Sequence, residues 1–124
     1  MPNHIHLIWE LLEMNGKGSP HTSFLKFTGH QFLQKLRKKD LKLLEKFKVD
    51  LANKDHSFWQ RDSLPIELYT QKVLFQKLED INNNPCRGNW MLADSPLYYN
   101  YSSFEFYETD EDRFGFLTHI GERL

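Results

Sequence analysis

The stretch Met1-Pro-Asn-His-Ile-His-Leu-Ile-Trp9 opens the chain and decides the fold that its sequence predicts. Its β-branched and aromatic residues are typical of a strand, and we expect one over residues 4–12. Because side chains alternate along a strand, His4 and His6 would project from one face, and the apolar residues between and after them from the other. Two adjacent imidazoles suit a divalent metal ion, although such histidines also occur as ordinary hydrogen-bonded groups.

The composition bounds the class of protein. A chain of 124 residues with 40% apolar and 15% aromatic residues is expected to form one domain over 1–124. It is too apolar for a disordered chain, and no apolar run is long enough to predict a membrane span. The single cysteine, Cys86, excludes an internal disulfide and a Cys-based zinc site. A reducing cytoplasm is the expected location.

The net charge of −1 hides an uneven distribution of charge. Residues 26–61 contain ten Lys or Arg against four Asp or Glu, whereas residues 105–112 contain five acids and no base. A basic middle segment is typical of a surface that contacts nucleic acid. It is equally typical of a solvated helix face, and composition alone leaves both interpretations open.

The first half of the chain predicts short elements of mixed type. Apolar spacing favours a helix that is capped by Thr22 or Ser23 and ends in a basic turn at Lys39. A second helical segment is expected over 41–51. A short aromatic strand is expected over 56–60.

The second half predicts one strong helix followed by an irregular tail. Thr70 is a good cap for an amphipathic helix, which the run Asn82-Asn83-Asn84-Pro85 would end. The buried stripe of this helix is expected to contain Val73, Leu74, Leu78 and Ile81. From about residue 86 to 124 the chain is aromatic and irregular.

Four segments in this order resemble the REP-associated tyrosine transposases, which belong to the single-tyrosine HUH transposase group. The matching segments are Met1-Pro-Asn-His-Ile-His-Leu-Ile8, Phe58-Trp-Gln-Arg61, Lys77-Leu-Glu-Asp-Ile-Asn-Asn-Asn-Pro-Cys-Arg87 and Tyr101-Ser-Ser103. The resemblance implies an α+β fold, with a ferredoxin-like antiparallel sheet and helices packed on it. It also implies a DNA transposase that binds hairpins in single-stranded DNA and cuts and rejoins the strand.

The resemblance assigns roles to individual residues. His4 and His6 match the metal-binding histidines, and Asn84 matches the third ligand of Mg²⁺ or Mn²⁺. The nucleophilic tyrosine position falls on Asp80, and Asn82 replaces the histidine that usually follows it. A carboxylate would form an acyl phosphate, which hydrolyses readily, so the strand-transfer chemistry is expected to be impaired. Asp80 is interpreted either as a drifted residue without a role or as an extra oxygen ligand of the metal.

A second departure from the family concerns the start of the chain. Family members have a strand and a helix before the histidine segment, and these are absent here, so the sequence predicts an N-terminally truncated version of the fold. A sheet that lacks a strand exposes apolar surface and an unpaired edge. We therefore expect self-association, for example as a homodimer.

The resemblance also predicts where DNA would bind. Phosphate contacts are expected from the basic residues Lys35, Arg37, Lys38, Lys39 and Arg87. The corresponding protein would be cytoplasmic and associated with the nucleoid, with no membrane partner. Two alternatives remain open: a DNA-binding remnant without enzymatic activity, and a small helical interaction protein whose histidines are ordinary.

Overall fold

The computed structural model describes residues 1–14, 16, 18–61 and 63–124, which fall into two compact units. One unit joins Met1–Trp9 to Ile66–Leu124, and the other is Glu10–Pro65. The described residues form helices and one two-stranded antiparallel sheet, which confirms a mixed α+β composition.

The unit of residues 10–65 begins with a long helix. Helix α1 spans Pro20–Lys39, and the hydroxyl of its N-cap, Ser19, accepts a hydrogen bond from the Thr22 backbone N–H. Pro20 fits the first turn because a proline there loses no helical hydrogen bond. At the other end, Asp40 leaves the helical conformation, and its carboxylate accepts from the Leu43 N–H at 2.8 Å. Asp40 thus ends α1 and starts the short helix α2 (Leu41–Glu45).

A β-hairpin follows α2 in the same unit. Strands β1 (Lys48–Leu51) and β2 (Lys54–His56) pair antiparallel, and the Ser57 N–H extends the pairing to the Phe47 carbonyl at 2.9 Å. An aromatic cluster joins this hairpin to α1. Its ring contacts are between Phe24 and Trp59, Phe32 and Phe58, Phe32 and Trp59, and Phe47 and Phe58.

The other unit is organised around helix α3, which spans Gln71–Asn83. The Thr70 hydroxyl caps it by accepting from the Val73 N–H, as the sequence predicts. A turn of 3₁₀ helix over Asn84–Cys86 follows, and Pro85 within it is buried. A further 3₁₀ turn (Pro96–Tyr98), helix α4 (Phe104–Thr109) and a terminal 3₁₀ turn (Ile120–Arg123) complete the unit.

The predicted strand over residues 4–12 is not formed. This segment is assigned to neither helix nor strand, because the only ladder among the described residues joins β1 and β2. A two-stranded hairpin is smaller than a ferredoxin-like sheet, so that finer description is not confirmed. Alternation of apolar residues favours a strand only where a neighbouring strand satisfies its backbone.

Four further element predictions need correction. Helix α1 begins at Pro20 and is capped by Ser19, because the Ser19 hydroxyl accepts from the Thr22 N–H, whereas the sequence predicts Thr22 or Ser23 as the cap. The helix expected over 41–51 ends at Glu45, and residues 48–51 instead form β1. The strand expected over 56–60 lies earlier, as β2. Finally, the tail expected to be irregular contains α4.

The packed core of the described residues is small. Its buried hydrophobic side chains are Leu44 in one unit and Phe106 and Ile120 in the other. Many large apolar side chains remain accessible, including Leu64 and Tyr69, each 83% exposed. None of the described helices has the length and apolar character that crossing a membrane requires.

Candidate metal and nucleic-acid site

The structure brings His4 and His6 together without a strand. Their ring centroids lie 5.0 Å apart, with an angle of 78° between the ring planes. The two residues are separated by one position in a non-helical segment, so the expected juxtaposition of the two imidazoles is observed although the predicted ladder is not.

His4 is held by two neighbours. Its Nδ1 lies 2.7 Å from Asn3 Oδ1, and because an amide oxygen only accepts, Nδ1 is the donor in this hydrogen bond. The indole of Trp90 contacts the His4 ring with a centroid separation of 5.4 Å. A donor bond through Nδ1 leaves the Nε2 lone pair for a ligand and fixes the ring orientation, as the outer partners of metal-bound histidines do.

The environment of His6 favours its neutral form. Partial burial, followed by the positive charges of His4 and of the terminal amino group, lowers the pKa of His6 below the ordinary value of 6.5. A neutral imidazole is the form that binds a metal ion. His6 therefore retains ligand character into mildly acidic solution.

Asn84, the residue expected to be the third ligand, is the C-cap of α3. Its backbone N–H donates to the Asp80 carbonyl, and the residue is half-buried. It belongs to the same compact unit as His4 and His6. An amide oxygen is a ligand type that suits Mg²⁺ or Mn²⁺.

Asp80 lies between two cations. Its carboxylate oxygens are 3.7 Å from Lys77 Nζ and 3.6 Å from an Arg87 guanidinium nitrogen. All three side chains are more than a third exposed, so each pair contributes at most about 1 kcal/mol. Among the described residues, no group of three His, Cys, Asp or Glu side chains is arranged to hold a metal, so Asp80 does not join the two imidazoles as a third ligand.

The residues expected to contact DNA are divided between the two units. Arg87 belongs to the unit of the histidines, where it pairs with Asp80. Lys35, Arg37, Lys38 and Lys39 lie at the C-terminal end of α1 in the other unit, and all four are exposed. Cations at this end also favour the helix dipole, so their position has a structural explanation of its own.

A cleft of about 580 Å³ lies beside the histidine pair. It is lined by Met1, Pro2, His4, Ile5, Leu92, Tyr99 and Tyr101. The rings of Tyr99 and Tyr101 are 6.0 Å apart, close to perpendicular at 71°. Tyr101 is 80% exposed and presents its ring to solvent, whereas Tyr99 is half-buried.

A buried polar contact links α3 to the tail. Asn82, 6% exposed, accepts a hydrogen bond at 3.2 Å from the Ser103 hydroxyl at the start of α4. A buried amide needs such a partner, because an unpaired one costs about 1–3 kcal/mol. The contact joins two of the segments on which the family resemblance depends, the end of α3 and Tyr101–Ser103.

Sequence reasoning missed three residues that shape this site. Asn3 and Trp90 hold His4, and Ser103 satisfies Asn82. The position of Asn3 next to His4 was the only local signal, because Trp90 and Ser103 contact residues far away in the chain. Comparisons with family models, with curated proteins and with solved structures gave no match.

Proposed function

We propose that this chain binds hairpins in single-stranded DNA together with a divalent metal ion, as a relative of the HUH transposases with impaired strand-transfer chemistry. The single observation that supports the proposal best is the contact between the imidazoles of His4 and His6, with His4 oriented by Asn3. An oriented pair of imidazoles, one with a lowered pKa, is suited to ligation.

His4 and His6 would supply nitrogen ligands to Mg²⁺ or Mn²⁺, and Asn84 an oxygen ligand. Bound there, the metal ion would polarise a DNA phosphate. The cations Lys35, Arg37, Lys38 and Lys39 and the guanidinium of Arg87 would contribute phosphate contacts and a strong salt dependence of binding. The ferredoxin-like sheet implied by the family, and a cytoplasmic location at the nucleoid, belong to the same proposal.

The position of the nucleophile argues against efficient strand transfer. Asp80 is engaged by Lys77 and Arg87, and its carboxylate would form a labile acyl phosphate in place of a stable phosphotyrosine. We therefore expect DNA binding without a lasting covalent adduct, which corresponds to a DNA-binding remnant of the enzyme.

Metal binding provides the first test. Isothermal titration with Mn²⁺ is expected to show binding to the wild type and a loss of at least about tenfold in affinity for His4→Ala, since one of two imidazole ligands is removed. His30→Ala, at an exposed position of α1, is the matched control and should bind like the wild type. Equal affinities for all three proteins would remove the metal assignment.

DNA binding and chemistry are tested with a labelled single-stranded hairpin. A native gel at low salt should show a shift with the wild type, and a denaturing gel with Mn²⁺ should show no adduct. Asp80→Tyr restores the family's nucleophile and is the comparison variant for adduct formation. Absence of the native shift would contradict DNA binding, and an adduct with the unchanged chain would contradict the assignment of Asp80 as inactive.

A second candidate, an interaction protein that associates with itself, is favoured by the exposed apolar side chains of the N-terminal segment. Ile5, Leu7 and Trp9 are 49%, 44% and 52% exposed. Such residues on an extended segment invite pairing with another chain. Light scattering over a range of concentrations should show a dimer, and a constant monomeric mass would contradict this candidate.

A further inference from the structure

The cleft beside the histidine pair has the chemistry of a site for an aromatic ligand. Tyr99 and Tyr101, whose rings contact each other, line it together with the apolar residues Ile5 and Leu92. Its volume of about 580 Å³ lies in the ordinary range for small-molecule sites, about 300–1,000 Å³. None of the described residues that line it is acidic, so a ligand that carries a phosphate is not repelled from within the cleft.

We propose that this cleft holds one unpaired base of single-stranded DNA, stacked on the exposed ring of Tyr101, while His4 lies toward the sugar–phosphate of the same nucleotide. The inference rests on the proposed function and adds to it the part of the DNA that this surface recognises. A base face is flat, apolar and aromatic, and stacking on a tyrosine ring requires no hydrogen-bonding edge.

The placement of His4 connects the cleft to the candidate metal pair. His4 is one of the residues that line the cleft, and its ring centroid lies 5.0 Å from that of His6 and 5.4 Å from that of Trp90. A nucleotide whose base stacks on Tyr101 would therefore direct its phosphate toward the two imidazoles. The two ends of a nucleotide would thus meet different groups. The base would meet apolar and aromatic side chains, and the phosphate would meet the imidazoles.

The nearby chain offers a matched control for stacking. Tyr98 is 72% exposed, similar to Tyr101 at 80%, but it does not line the cleft. Removing either ring deletes an accessible aromatic side chain of the same size. Only the loss of Tyr101 is expected to weaken binding of a base.

The first experiment measures affinity for labelled single-stranded oligothymidylate by fluorescence anisotropy. Tyr101→Ala should weaken binding about tenfold, because one stacked base is worth about a factor of ten. Tyr101→Phe and Tyr98→Ala should bind like the wild type, and the salt dependence should be unchanged because no phosphate contact is lost. An equal loss for Tyr98→Ala, or no loss for Tyr101→Ala, would overturn the inference.

An oligonucleotide with abasic sites separates stacking from backbone contacts. The wild type and Tyr101→Ala should bind this DNA equally, because it has no base to stack. If Tyr101→Ala weakens binding of abasic and ordinary DNA by the same factor, the ring acts on the backbone or on the fold, and the inference is wrong.

A mononucleotide distinguishes failure of the inference from failure of the proposed function. In NMR, thymidine monophosphate should shift the ring resonances of Tyr99 and Tyr101, and deoxyribose phosphate should not. These shifts without any binding of the hairpin would contradict the proposed function but support the base site. Hairpin binding with identical responses to both small molecules would overturn the base site alone.

Discussion

The hydrogen bond between Trp59 and Thr28 supports one quantitative prediction about the aromatic cluster. The indole N–H of Trp59 donates to the Thr28 hydroxyl at 2.9 Å, and that hydroxyl donates to the Phe24 carbonyl at 2.8 Å. Thr28→Val keeps the shape of the side chain but removes the acceptor. The indole ring would stay within its aromatic neighbours, with its N–H left without this partner.

The expected cost follows from the burial of the pair. A typical intramolecular hydrogen bond contributes about 1 kcal/mol net, and a fully buried unsatisfied donor adds up to about 3 kcal/mol. Thr28 and Trp59 are both half-buried, so water can partly replace the lost acceptor. Threonine and valine have similar helix propensities, so α1 itself contributes little to the difference. We expect Thr28→Val to lower the free energy of unfolding by about 1–2 kcal/mol.

A double-mutant cycle isolates this hydrogen bond. Urea unfolding followed by far-ultraviolet circular dichroism is measured for the wild type, Thr28→Val, Trp59→Phe and the double variant. Phenylalanine has no N–H to satisfy, so Thr28→Val should cost almost nothing in the Trp59→Phe background. The coupling energy between the two sites is expected to be about 1 kcal/mol. Equal costs of Thr28→Val in both backgrounds would refute the reasoning.

Three further predictions concern backbone conformation and titration. Gly29→Ala should raise the free energy of unfolding by about 0.5–1 kcal/mol, because alanine favours helix and its new Cβ would lie at an ordinary contact distance, 3.9 Å, from Trp59 Cδ1. Gly88→Ala should instead lower the free energy of unfolding by about 1 kcal/mol, because the backbone of Gly88 has a φ of +60°. Urea unfolding that gives both changes the same sign would contradict this reasoning. Desolvation raises the pKa of the Asp112 carboxyl, but backbone N–H donors from residues 114–117 outweigh this effect, so the folded pKa is lowered and Asp112→Asn should reduce the unfolding temperature at neutral pH. The stability from this carboxyl is present above its unfolded pKa of about 3.9 and is lost as the pH falls through the lower folded pKa. A difference between the two proteins that persists in strong acid would exclude ionisation of Asp112 as its cause. The folded pKa of His6 is lowered, so His6 favours the folded state above pH 6.5, and this contribution is lost as the pH falls through the folded pKa. An NMR titration of its ring should give a midpoint below 6.5, and a midpoint at or above 6.5 would contradict the desolvation of His6.

Local signals in the sequence predict helix α3 well. Its start depends on the Thr70 hydroxyl and its end on Pro85, and both signals lie within or beside the helix. The same holds for the start of α2, which Asp40 caps. The predicted buried stripe of α3 is wrong in detail, because Val73 is 37% exposed, Leu74, Leu78 and Ile81 are only half-buried, and the buried residue of the helix is Asn82.

The wrong predictions include elements defined by pairing between segments and also local ones, such as the missed helix α4. The segment 4–12 alternates like a strand but has no ladder in the structure. Residues 48–51 continue an apolar helical pattern, yet they pair with β2, and the Phe47 and Phe58 rings beside the hairpin contact at 4.8 Å. Pairing across a turn outweighs a weak helical pattern when it also brings aromatic rings together.

In the candidate site, the contact that follows from spacing along the chain was predicted, and the contacts between distant residues were not. The juxtaposition of His4 and His6 agrees with their spacing of two residues, which predicts side chains on the same side of a non-helical segment. The contacts of Trp90 with His4 and of Ser103 with Asn82 join residues far apart in sequence, and no local pattern encodes them. The ion pairs of Asp80 depend on Lys77, one helical turn before it, and on Arg87, beyond the end of α3.

The edge contact between His4 and Trp90 gives the protein a built-in optical signal. A ligand bound at His4 would alter the surroundings of the adjacent indole, so the fluorescence of Trp90 should change when the imidazole pair is occupied. The chain has two other tryptophans, Trp9 and Trp59, and the difference between the wild-type and Trp90→Phe spectra isolates the Trp90 contribution. Occupancy of the imidazole pair can therefore be followed without a dye or an attached label.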